Sequence, residues 1–148
     1  MKLTITQSQG SALVTILHLD GTMDGTNYMN LVEEAQKVYD AGARDLILDL
    51  SKLGYISSAG LSALHRVALL FRGEKFMEMD EGWAAYHAID RDRDRGVQQH
   101  VKMFVSTGKV LEVIEMVGFT AIFEIYTDIH RAEDSFFQPA TAIEVSLQ

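Results

Sequence analysis

Leu3 and Ile5 alternate with Thr4 and Thr6. That two-residue period is the mark of a half-buried strand and predicts one over residues 3–7. Gln9-Gly10 reads as a turn, and residues 12–19 (ALVTILHL) are rich in Val, Ile, Leu and Thr, which predicts a second, more buried strand. So short a gap favours antiparallel pairing of the two. Residues 20–26 carry Gly21 and Gly25 and are expected to form a loop. From 27 to 41 the period changes: Tyr28, Leu31, Val32, Ala35 and Val38 fall on one helical stripe, with Glu33, Glu34 and Lys37 opposite. Gly42 stands where a helix would end. The run 46–50 (LILDL) is apolar enough for a central strand covered on both faces, and 51–56 is expected to be a loop. A second helix follows, striped by Leu61, Leu64, Ala68 and Leu69. Beyond it the pattern predicts a strand at 101–105, a helix over 107–117 ended by Gly118, a strand at 122–126 and a short helix over 128–136 capped by Asp128. Strands alternating with helices imply an α/β fold: a mixed, mostly parallel sheet of about five strands with four helices and right-handed crossovers.

One stretch breaks this economy. Residues 73–100 separate the second helix from the next strand, where connections of about 2–6 residues are usual. Phe76, Met79, Trp83 and Tyr86 sit at helical spacing, followed by the alternating charges of 90–95 (DRDRDR). The region reads as an inserted helical segment with a solvated return. Its aromatic stripe either caps the domain edge or forms an assembly surface, for a partner or a homodimer. The tail 137–148 holds the single proline, Pro139, and carries no assigned role.

Composition removes whole classes of function. The chain has 148 residues, enough for one domain with a substantial core. With no cysteine it has neither disulfides nor thiolate chemistry. A net charge of −8, from 13 Lys and Arg against 21 Asp and Glu, disfavours nucleic acid and anionic membrane as partners. No apolar run reaches transmembrane length and the first residues lack a signal-peptide core, so a soluble, cytoplasmic domain is expected. The five histidines (18, 65, 87, 100 and 130) form no zinc-binding spacing. The string from Ser106 to Lys109 lacks the order of a phosphate loop, and no hydrolase elbow surrounds the serines. No catalytic constellation, metal site or cofactor site is legible, so the chain is not expected to be an enzyme.

The informative stretch joins the central strand to the second helix. Ser57, Ser58, Ala59 and Gly60 stand at that helix's start. Ser57 or Ser58 would cap it, and Gly60 would allow close packing. A hydroxyl here lies where unpaired N–H groups and the helix dipole favour negative charge, so the fold would tolerate a phosphate. A phosphate would add about −1.5 to −2 charges to the surface.

Three segments together resemble the STAS domains, the family of anti-sigma factor antagonists and related regulators. The first is 45–64 (DLILDLSKLGYISSAGLSAL), the second is Gly21-Thr22-Met23-Asp24, and the third is 112–126 (EVIEMVGFTAIFEIY). The resemblance implies a single STAS-like domain over 1–148 that switches partners. The unphosphorylated form binds a kinase-like anti-sigma factor, which phosphorylates a serine and is released; a metal-dependent phosphatase restores the complex. Carried over by position, the phosphoserine is Ser58, with Ser57 the second candidate, and the partner-facing set is Asp24, Ser57, Ser58, Ala59, Gly60 and Leu61. The sequence departs from the family pattern where Ser57 replaces an acidic residue and Ala59 a hydroxyl. The alternative is a non-phosphorylated scaffold or small-ligand-binding STAS domain in a transport or stress-signalling assembly, using Phe76, Met79, Trp83 and Tyr86.

Overall fold

The computed structural model describes residues 1–8, 13–73, 96–106 and 108–136. Among the described residues five strands form one sheet in the order β1 (Lys2–Gln7), β2 (Thr15–Met23), β3 (Leu46–Ile56), β4 (Gln98–Phe104), β5 (Phe123–Tyr126). β1 runs antiparallel to β2, and all the other pairs are parallel. The helices are α1 (Tyr28–Asp40), α2 (Ser58–Phe71), α3 (Lys109–Met116) and α4 (Ile129–Asp134). The α/β architecture and the order of elements are as the hydrophobic pattern predicts.

Burial explains the arrangement. On the inner face of the sheet, Leu17 and Leu19 of β2, Leu46, Leu48 and Leu50 of β3, and Val101 and Met103 of β4 meet Leu31 and Ala35 of α1, Leu64 and Val67 of α2, and Ile114 of α3. β3 lies at the centre, and each of its residues from Leu46 to Leu50 is buried. A smaller cluster on the outer face joins Val14, Ile16 and Ile47 to Ala132 of α4. α1 shows the expected stripe, with Leu31 and Ala35 fully covered. α2 is buried continuously from Gly60 to Ala68, Ser62, His65 and Arg66 included, a wider buried surface than its predicted stripe.

Helix ends follow their punctuation. Gly42 and Gly118 take positive φ, +111° and +84°, just beyond α1 and α3, a backbone region that glycine enters without steric cost. The carboxylate of Asp128 accepts the His130 amide at 2.9 Å and caps α4.

Three expected boundaries are corrected. Residues 20–23 and 51–56 are strand and not loop, because β2 and β3 stay paired from Thr15↔Leu46 to Met23↔Ile56. Register shifts between His18 and Asp20 and between Gly21 and Thr22 absorb the irregularity there. β4 begins inside the expected insert, at Gln98. Its side chain is buried and donates to the Ala68 carbonyl at 2.7 Å, while its amide donates to the Ile122 carbonyl at 2.6 Å. The rest of that insert, 74–95, lies outside the described residues, as does the tail 137–148.

Candidate functional site

β2 and β3 end side by side, and this juxtaposition builds the site. The Ser57 amide donates to the Met23 carbonyl at 2.9 Å, tying the start of α2 to the end of β2. Gly60 sits directly against both strands. A Cβ there would lie 2.7 Å from Ile56 Cγ1 and 3.1 Å from Met23 Cγ, so a larger residue would force neighbours aside. Gly60 therefore brings the first turn of α2 close to the strand ends, as its position in the sequence suggests.

The two serines are used differently. Ser57 is the N-cap of α2. Its backbone is extended and its Oγ accepts the Gly60 amide at 3.2 Å, satisfying one of the N–H groups that a helix start leaves unpaired. Ser58 is the first helical residue, is exposed, and its hydroxyl makes no hydrogen bond to a described residue. Ala59 is half-buried, while Gly60 and Leu61 are buried, Leu61 within the main core. The two buried residues hold the turn from beneath.

Asp24 follows Met23 and opens the adjoining turn. One of its carboxylate oxygens accepts from the Thr26 hydroxyl at 2.6 Å and from the Thr26 amide at 2.9 Å. Those two donors hold its carboxyl below the usual aspartate range. The Asp24 carbonyl accepts the Tyr28 amide at 3.0 Å to start α1. Asn27 closes the turn from both sides, accepting the Asp24 amide at 3.0 Å and donating to the Thr22 carbonyl at 2.9 Å. Thr26 and Asn27 escaped the sequence reading. The local signal for them was an Asp followed two residues later by a Thr, a pattern that favours side-chain-to-backbone turns. Tyr55, more than half exposed at the end of β3, was also missed. Phe76, Met79, Trp83 and Tyr86 lie outside the described residues.

A second polar cluster lies on the outer face of the sheet. His18 Nδ1 is 2.6 Å from Asp49 Oδ2, and His18 Nε2 is 2.8 Å from Thr6 Oγ1. The other Asp49 oxygen accepts from the Ser51 amide at 2.9 Å and from its hydroxyl at 2.6 Å. A hydroxyl, an imidazole and a carboxylate thus stand in line, and each is tied into strand pairing. Among the described residues no group of three His, Asp or Glu could hold a metal ion, and no helix is long and apolar enough to cross a membrane.

This mixed, mostly parallel sheet, with a serine-bearing helix start packed against two strand ends, is a STAS-type architecture. Residues 4–75 match the STAS domain family model. A protein of Bordetella bronchiseptica named "Putative anti-sigma factor antagonist BtrV" is 31% identical over 136 residues, covering 92% of this chain and 95% of its own. The crystal structure of an anti-sigma factor antagonist from Mycobacterium paratuberculosis superposes with a TM-score of 0.63 at 14% identity, covering 91% of this chain and 94% of that one. The chain belongs to the STAS domain family. It is a regulatory family and not typically an enzymatic one.

Proposed function

We propose that this protein is an anti-sigma factor antagonist that binds a kinase-like anti-sigma factor and is released from it by phosphorylation of Ser58. The observation that carries the reading is the division of labour at the start of α2: Ser57 is held as the cap while Ser58 is exposed. A phosphate on Ser58 leaves the Ser57 cap in place. The first-turn N–H groups and the helix dipole favour its charge. Carried into a protein interface, the same charge faces desolvation and repulsion from acidic groups, which weakens binding. Asp24, Ser57, Ser58 and Ala59 are the partner-facing residues in this reading, with Gly60 and Leu61 placing them. A metal-dependent serine phosphatase completes the cycle.

The test is phosphosite mapping by mass spectrometry on the protein isolated from its native cells at rest and under stress. Phosphate on Ser58 whose stoichiometry differs between the two conditions is the expected result. Phosphate on Ser57 alone, or on neither serine, overturns the assignment.

A further inference from the structure

On the outer sheet face α4 packs over the end that carries Ile16 and Ile47. Beyond that end the outward-facing residues of β1, β2 and β3 are polar, and they line a pocket of about 390 Å³. Strand register sets them in two rows. Thr4 lies opposite His18 and His18 opposite Asp49, while Lys2 lies opposite Asp20 and Asp20 opposite Lys52. The second row therefore alternates in charge across three strands: ammonium, carboxylate, ammonium.

The rows differ in what they leave free. His18 meets one Asp49 oxygen, and both Ser51 donors meet the other, so the acid of the first row is already engaged within the sheet. Lys2, Asp20 and Lys52 are exposed, and among the described residues none of the three makes a side-chain hydrogen bond or an ion pair. Neighbouring strands lie about 4.8 Å apart, so the two lysine backbones stand about 10 Å from each other with Asp20 between them. Their flexible four-carbon stems let each ammonium swing toward Asp20 or into the pocket. Opposite charges directly across strands attract, but an exposed pair of this kind is weak enough for a ligand to displace.

The complement of such a row is a small molecule with two carboxylates and an ammonium on the chain between them. The net charge of −8 works against a plain dianion, which favours a ligand that brings its own ammonium. We propose that this pocket binds an acidic amino acid, with Lys2 and Lys52 on its carboxylates and Asp20 on its ammonium. The pocket lies on the face of the sheet opposite α2, so the inference stands whether or not Ser58 is phosphorylated.

The test is a titration of the full chain with L-glutamate at constant ionic strength, followed through the backbone amide signals of His18, Asp20 and Lys52 by NMR. L-Glutamine, which lacks the second carboxylate, and glutarate, which lacks the ammonium, are the comparison ligands. Three exposed charges bind weakly, so saturable shifts confined to the pocket are expected for glutamate with a Kd on the order of 1 mM, and both comparison ligands should bind at least about fivefold more weakly. Lys52→Gln should weaken glutamate binding by a similar factor. Asp20→Asn should do the same while strengthening glutarate binding, a reversal that loss of structure does not produce. Both positions are exposed, so both variants are expected to stay folded. Shifts that fail to saturate, or that sodium chloride alone reproduces, overturn the proposal, because the row is then a set of cross-strand ion pairs and nothing more. Equal affinity for glutamate and either comparison ligand overturns it as well.

Discussion

Two clusters in this protein hold the same kinds of side chain, hydroxyls beside an aspartate, and differ in what is left over. On the outer sheet face Thr6, His18, Asp49 and Ser51 are bonded in a line, each to the next, and that line joins β1, β2 and β3. At the start of α2 the Ser57 hydroxyl accepts the Gly60 amide, and in the adjoining turn the Asp24 carboxylate accepts the Thr26 amide and hydroxyl. Ser58 remains outside them. The first cluster has the outline of a catalytic triad, yet its groups serve strand pairing. The second has no catalytic outline and presents an exposed hydroxyl on a rigid support. Function in a protein like this is read from the polar group that the fold does not use, more than from the chemical variety of a cluster.

That contrast can be broken most strongly at Gly60. Gly60→Val places a branched side chain where a Cβ alone would meet Ile56 at 2.7 Å. It should destabilise the fold by about 3 kcal/mol, the upper part of the usual cost of overpacking. Urea denaturation measures this, and an unchanged midpoint would mean that the helix start is not held against the strands. Asp49→Ala should cost about 2 kcal/mol, since His18 and Ser51 lose the acceptor they share. A neutral result in the same assay would show the outer cluster to be dispensable. The two serines sharpen the comparison further. Ser57→Ala should cost about 1 kcal/mol as a lost cap, whereas Ser58→Ala should stay within about 0.5 kcal/mol as an exposed substitution. Equal costs would erase the distinction drawn between them.

The smallest expected effect is at Asp24, whose carboxyl is depressed mainly by the Thr26 hydroxyl and then by the Thr26 amide. A depressed folded-state value means that its contribution is fully present above the unfolded value of about 3.8 and is lost as pH falls through the folded one. Asp24→Asn should therefore flatten the acid limb of the stability curve and leave the shape at neutral pH unchanged. An acid limb identical to the parent's would show that this turn contributes no pH dependence.

Much of this was legible in the sequence, for identifiable reasons. The central strand announced itself as an unbroken apolar run, α1 as a stripe of Leu31, Val32 and Ala35, and the serines through the family resemblance of their string. A serine cap at Ser57 or Ser58 and Gly60 as close-packing residue follow from local rules alone; the structure makes Ser57 the cap. The extensions of β2 and β3 were hidden because Asp20, Gly21, Lys52 and Gly54 look like loop residues. Cross-strand pairing, with shifts of register, makes strand of them. Gln98 was hidden because a buried glutamine has no local signal; its partner carbonyl on Ala68 lies 30 residues away. The tie between His18 and Asp49 was invisible for the same reason, being set by parallel register and not by spacing along the chain.

The central claim is that Ser58 controls partner binding while Ser57 supports the helix. Its most direct test is co-purification from the native cells of tagged full-length protein carrying Ser58, Ser58→Ala or Ser58→Glu, with the kinase-like anti-sigma factor quantified in each. The account predicts retention by Ser58→Ala and, for Ser58→Glu, a loss of at least about tenfold, which corresponds to about 1.4 kcal/mol. Equal recovery with all three chains, in protein shown to be folded, would contradict it.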